Sequence, residues 1–206
     1  MTESTPRRLV VAITGATGSI YGIRSLQMLE RAGIETHLVI SKWGARTLLY
    51  ETPYTLDQVQ KMATYSYAPG DQGAKIASGS FQTEGMIVIP CSVRTLGAIA
   101  NGVGDHLVHR AADVVLKERR KLVLVVREAP LNAVHLENLL KLSGMGAVVF
   151  PPVPAFYTRP QTIDEIVDQT VMRVLDQVGV HLDEARRWDG NLSASGKPNE
   201  EEIEWT

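Results

Sequence analysis

The sequence predicts an α/β domain: a parallel sheet with helices on both faces. Three observations carry this. Short runs are apolar at every position, as in strands buried on two sides. Amphipathic helical patterns separate them, and glycine or proline stands at most of the joins.

RLVVAIT, Arg8 to Thr14, reads as the first strand. Ser19 to Arg31 reads as the first helix, with Ile20, Ile23, Leu26 and Leu29 on one stripe and Gly33 as its stop. ETHLVIS, Glu35 to Ser41, is the second strand. A helix is expected from Lys42 to Tyr50, ending near Thr52-Pro53 because proline disfavours helix in the residue before it. A short one follows from Leu56 to Met62, and Tyr65 to Gly79, rich in Gly, Ala, Ser and Tyr, reads as loop. GMIVIPC is a third buried strand and SVRTLGAIANG a helix closed by glycine. Asp105 to Arg120 is a longer helix feeding the strand Leu122 to Val126. Helix Asn132 to Leu142, strand AVVF and helix Ile163 to Val178 complete the series. The last helix opens on Thr162-Ile163-Asp164-Glu165, the spacing of a capping box. Together these units give a single-domain Rossmann-like or flavodoxin-like fold. The domain is expected over residues 1–188, with a polar, acidic tail over 189–206.

At 206 residues, 44% hydrophobic and 21% charged, the chain suffices for one full core. A net charge of -2 provides no basic field for a phosphate backbone, so nucleic acid is not an expected partner. The single cysteine, Cys91, leaves no internal disulfide or cysteine zinc site and suits a reducing compartment. MTESTPRR has no apolar run behind its basic pair, and no stretch approaches membrane-spanning length, so a cytoplasmic protein with no membrane partner is expected.

In such sheets ligands sit at the carboxyl ends of the strands, where helix N-termini offer N–H groups to anions. TGATGSIYG follows the first strand, and Gly15, Gly18 and Gly22 miss the G-x-G-x-x-G spacing. A dinucleotide site expects an acid near the end of the second strand to hold the ribose, but that strand ends in Ser41-Lys42, which suits phosphate better. The chain has no Tyr-x-x-x-Lys pair and no Gly-Lys-Ser/Thr, which argues against short-chain dehydrogenases and P-loop proteins. A mononucleotide with one phosphate remains, and FMN fits best.

PCSVRT places Ser92, Arg94 and Thr95 on the same rim; serine there also has the plain reading of a helix cap. Cys91 reads as a buried inert thiol. Arg127 and Glu128 follow the fourth strand, and strand neighbours point to opposite faces, so they are poorly placed to pair with each other and can address a ligand instead. His106 and His109 share a helix face but lack a third ligand, so no metal is expected.

With ITGATGSIYG, SKWG, IPCSVRTL, RAADVVLKERRKLVLVVREAPL, HLENLLKLS and PPVPAFYTRPQ in order, the chain from about Arg8 to Trp188 resembles the UbiX-type flavin prenyltransferases. Within them it is most similar to members formerly named as components of phenolic or hydroxyarylic acid decarboxylases. The resemblance implies a metal-independent transfer of a dimethylallyl group from dimethylallyl monophosphate to N5 and C6 of reduced FMN. Prenylated FMN would then pass to a UbiD-type decarboxylase. It further implies FMN contacts at Gly15, Ala16, Thr17, Ser41, Ser92, Val93, Arg94, Thr95 and Arg127. Lys117, Glu128, Tyr157 and Arg173 would hold the prenyl phosphate, with Glu51 nearby and Thr17 standing where many members have serine. The catalytic set so implied is Glu128, Lys117, Thr17 and Glu51. Arg173 would reach a neighbouring subunit, so a homo-oligomer is implied, dodecameric in the family.

Two other classes stay open. An FMN-dependent cysteine decarboxylase would carry an early catalytic histidine and an Asn-rich motif where this chain has PCSVRT. A non-catalytic FMN carrier would tolerate loss of Lys117 or Glu128 without losing its support of a partner.

Overall fold

In the computed structural model, which describes residues 6–188 and 190, six strands form one sheet. They are β1 (Arg8–Ile13), β2 (Glu35–Ile40), β3 (Tyr65–Tyr67), β4 (Gly85–Cys91), β5 (Lys121–Val126) and β6 (Val148–Val149). Every pairing is parallel, in the order β3-β2-β1-β4-β5-β6. The direction of winding reverses between β1 and β4, which leaves a crevice above their carboxyl ends. The helices are α1 (Ser19–Arg31), α2 (Lys42–Glu51), α3 (Leu56–Lys61), α4 (Val93–Asn101), α5 (Leu107–Lys117), α6 (Ala133–Gly144) and α7 (Ile163–Asp176).

Alternation along the strands splits the core into two layers. Leu9, Val11 and Ile13 of β1 meet Ile23, Leu26 and Leu29 of α1 and Val171 and Leu175 of α7. Val10 and Ala12, with Met86 and Val88 of β4, meet Leu96 of α4 and Leu107, Ala111 and Val115 of α5. All of these are buried, and each large side chain so buried contributes about 1.5–3 kcal/mol. The uninterrupted apolar runs therefore serve two cores at once.

Three local expectations change. Tyr65–Tyr67, expected as loop, is an edge strand on β2. It is fixed by side chains rather than by apolar burial. Thr36 and Thr64 exchange N–H to Oγ1 bonds at 3.0 Å each, and Tyr65 stacks on the buried His37 with ring centroids 5.0 Å apart. The helix expected over Asp105–Arg120 is shorter at both ends, because His106 takes the extended N-cap conformation and Arg119 turns to φ 57°. At α7 the Thr162 side chain accepts from the Glu165 N–H as expected, but the Glu165 carboxylate reaches back to the Gln161 N–H at 2.8 Å, one residue past the N-cap N–H that would close a capping box. Closed boxes occur instead at Thr55/Gln58 and Asn132/His135. The tail expected over 189–206 lies outside the described residues apart from Gly190.

Candidate active site

The crevice is built from the residues where the winding reverses. Thr14, fully buried, donates its hydroxyl to the Pro90 carbonyl at 2.8 Å and accepts the Ser92 N–H at 2.9 Å, so one side chain ties the end of β1 to the end of β4. The loop after it passes close to α2. A Cβ on Gly15 would lie 2.5 Å from the Trp43 Cβ, and one on Gly44 would lie 2.5 Å from the Ile13 carbonyl oxygen. Only glycine lets these backbones approach so closely. Gly18 caps α1 without a side chain. The Glu51 carboxylate, at the far end of α2, takes that part by accepting from the Gly18 and Ser19 N–H groups at 2.8 and 3.1 Å. An acid at a helix N-terminus meets both the free donors and the positive end of the dipole.

Two further helix N-termini stand on the rim. Ser41 caps α2 by accepting the Gly44 N–H at 3.0 Å. Ser92 caps α4 by accepting the Thr95 N–H at 3.3 Å while donating to the Thr95 hydroxyl at 3.1 Å. The plain cap role is therefore real for both serines.

Together these loops surround a cavity of about 610 Å³, within the range of small-molecule sites. Gly15, Ala16, Thr17 and Ser41 line one side; Ser92, Val93, Arg94 and Thr95 line another. Arg127 and Glu128 close it from the end of β5. Among the described residues they form no ion pair, with each other or elsewhere; Glu128 accepts only its neighbour's N–H, from Ala129 at 3.1 Å. Lys42, Arg94 and Arg127 set three cations on the lining against the carboxylates of Asp105 and Glu128. With helix N-termini added, the field favours an anion.

The sequence pattern does not single out Trp43 or Asp105, both on the lining. Trp43 is largely exposed, but its Cβ packs against Gly15 of the first loop. Asp105 supplies the third donor that His106 and His109 were expected to lack, with ligand atoms of all three within 4.8 Å of one another. Burial pushes the His109 imidazole down to about 4, with His106 adding to the effect, and lowers His106 in the same way. Cys91 ends β4 beside the cavity but is fully enclosed, and burial raises its thiol to about 12. It is the inert thiol expected.

Residues 1–175 match the family model described as Flavoprotein. A Bacillus subtilis (strain 168) protein named "probable UbiX-like flavin prenyltransferase" is 57% identical over 89% of this chain and 90% of its own. The crystal structure of AnUbiX (PadA1) in complex with FMN and dimethylallyl pyrophosphate is 50% identical, covers 90% of this chain and 99% of its own, and superposes with a TM-score of 0.89. This chain belongs to the UbiX-like flavin prenyltransferases. A second family structure, a dodecameric FMN-dependent Ubix-like decarboxylase from Escherichia coli O157:H7, is 56% identical over 89% of this chain and 100% of its own, with a TM-score of 0.87.

On this UbiX-like chain the remaining implied residues lie away from the cavity. Lys117 ends α5 beside Glu118 and Gly79. It is eight residues beyond His109, hence about 12 Å further along the helix. Tyr157 sits in a 3-10 turn with its ring edge-on to Trp188, centroids 6.0 Å apart. Arg173 lies in the second half of α7, which runs towards the amino ends of the strands, where the Gly179 carbonyl accepts from Arg7 just ahead of β1.

Arg173 is held by Asp176, whose side chain is 7% exposed. The same carboxylate accepts two bonds from Arg187, at 2.9 and 2.8 Å, and one from His181 at 2.7 Å. The Arg187 bonds, against the opposing effect of burial, hold Asp176 well below the usual carboxylate range. A carboxyl depressed in the folded state stabilises in full above its unfolded value, about 4, and loses this as pH falls towards the folded value. Urea unfolding should therefore show Asp176→Asn less stable than the parent at neutral pH. The gap should narrow at about pH 3; a gap that widens in acid would contradict the assignment.

Proposed function

We propose that this chain transfers a dimethylallyl group from dimethylallyl monophosphate to N5 and C6 of reduced FMN, giving prenylated FMN. One observation carries the reading: the reversal crevice presents three helix N-termini and unpaired Arg127 and Glu128 to one cavity, in a chain 57% identical to a UbiX-like relative. The residues present fit FMN, since a glycine-lined approach at Gly15 and cation-rich walls accept a flat ring and a phosphate.

Gly15, Ala16, Thr17, Ser41, Ser92, Val93, Arg94, Thr95 and Arg127 bind and orient the flavin. Reduced FMN supplies the electron-rich ring that takes the allyl group. Glu128, next to Arg127, moves the proton that accompanies loss of phosphate or restoration of the ring. Glu51 acts through the first loop, because its carboxylate caps α1 at the Gly18 and Ser19 N–H groups, the residues that follow Thr17. No metal is required, since fixed cations and a hydroxyl stabilise the departing phosphate, and confinement holds the allyl group against the ring.

Those cations come from more than one chain. Lys117, Tyr157 and Arg173 reach a cavity by projecting from neighbouring copies in a homo-oligomer, a dodecamer like its Escherichia coli relative. The product goes to a UbiD-type decarboxylase, in the cytoplasm.

The test is anaerobic incubation with reduced FMN and dimethylallyl monophosphate, read by flavin mass. A five-carbon gain is expected, and an unchanged flavin would refute the function. In the same assay Lys117→Ala and Glu128→Gln should each be nearly inactive, while mixed and reassembled chains recover part of the activity. Failure to recover would return Lys117 to a structural role.

A further inference from the structure

Asp105, His106 and His109 stand at the first turn of α5, on the wall of the cavity, and the proposed transfer uses none of them. His109 is 8% exposed, yet among the described residues neither of its ring nitrogens has a hydrogen-bond partner; the Nδ1 of His106 has none either. Buried polar atoms are normally satisfied, so an imidazole left without partners on both sides is an unfilled position. His106 is the N-cap residue of α5 but makes no capping bond, so its side chain is free for another partner. The Asp105 carboxylate is 80% exposed and lies 3.8 Å from the His109 Nδ1.

We infer that Asp105, His106 and His109 form a binding site for a divalent transition cation of the zinc type. Two imidazoles and a carboxylate are a donor set such ions accept, and three protein ligands leave a fourth position open to water. The three donor atoms lie within 4.8 Å of one another, whereas donors around a tetrahedral zinc are about 3.3 Å apart. The site must therefore tighten. The rings are stacked with centroids 3.8 Å apart at 25°, so one must turn to share an ion, and His106, only partly buried, is the one able to do so. Two features oppose a cation: the N-terminal end of α5, with about half an elementary charge, and Arg94 nearby. Arg94 is exposed and its field is screened by water, and the Asp105 carboxylate brings a full opposing charge into contact with the ion.

The site does not depend on the flavin reading, and its test does not use turnover. The full chain, free of any histidine tag, is titrated with Co²⁺ and followed by its visible absorption and by equilibrium dialysis, with Zn²⁺ as competitor. One equivalent per chain is expected, displaced by Zn²⁺. Losing a ligand should weaken binding by at least about tenfold, in both His109→Ala and Asp105→Asn. The latter changes an exposed side chain and leaves the core intact, so it decides the matter if His109→Ala does not fold. No binding by the parent chain, or equal binding by Asp105→Asn, would overturn the assignment.

Discussion

Glu128→Gln is expected to lower the rate of flavin prenylation by about 10²–10⁴-fold, the usual contribution of a positioned proton-transfer group, while leaving FMN affinity nearly unchanged. The amide keeps the shape of the side chain and its ability to accept from the Ala129 N–H, but it cannot take up and return a proton. The loss corresponds to about 3–5 kcal/mol of transition-state stabilisation. Arg127 beside it has a different part. Arg127→Ala removes a cation from the cavity wall; if Arg127 holds the flavin as proposed, the change should weaken FMN binding and turnover together. Single-turnover kinetics with saturating FMN separates the two. A Glu128→Gln loss below about tenfold would move the proton to another group, and the departing phosphate is then the natural candidate. A non-catalytic carrier would show no loss at all.

Thr14→Val is expected to destabilise the chain by about 1–3 kcal/mol, the cost of a buried donor left unpaired, and to weaken FMN binding as well. Valine fills the same space but gives the Ser92 N–H nothing to bond. The Pro90 carbonyl suffers less, because it also accepts from the Thr14 N–H at 3.2 Å. The burden therefore falls on Ser92, the residue that caps α4 and faces the cavity. Urea unfolding should show a lower midpoint at an unchanged slope, and flavin fluorescence a higher dissociation constant. A variant of normal stability would mean that Ser92 finds another acceptor, and that the tie across the winding reversal is dispensable.

Most of the fold was legible because strands such as Leu122–Val126 and Gly85–Cys91 are short runs apolar at every position, a pattern that suits a sheet covered on both faces. The edge strand Tyr65–Tyr67 was not, because its order comes from His37 and Thr36 on a distant segment. The same distinction runs through the site. Ser41, Ser92, Arg127 and Glu128 were legible from their places just after strands. The part of Glu51 was hidden, since it depends on the end of α2 lying across the start of α1. Asp105 was hidden for a related reason: it precedes the helix that carries His109, and only the fold shows that its carboxylate turns back towards that ring. Lys117, Tyr157 and Arg173 are expected at a site only through the family resemblance; among the described residues of one chain they do not line the cavity.

Cys91 sits at the tip of β4, within the tie between β1 and β4, yet has no contact with water. With its thiol raised to about 12, almost none is ionised at neutral pH, so electrophiles and peroxides have nothing to attack while the strand end stays closed. An enzyme that handles a reduced flavin thus keeps its one sulfhydryl out of reach of the oxidants that such flavins generate wherever oxygen is present.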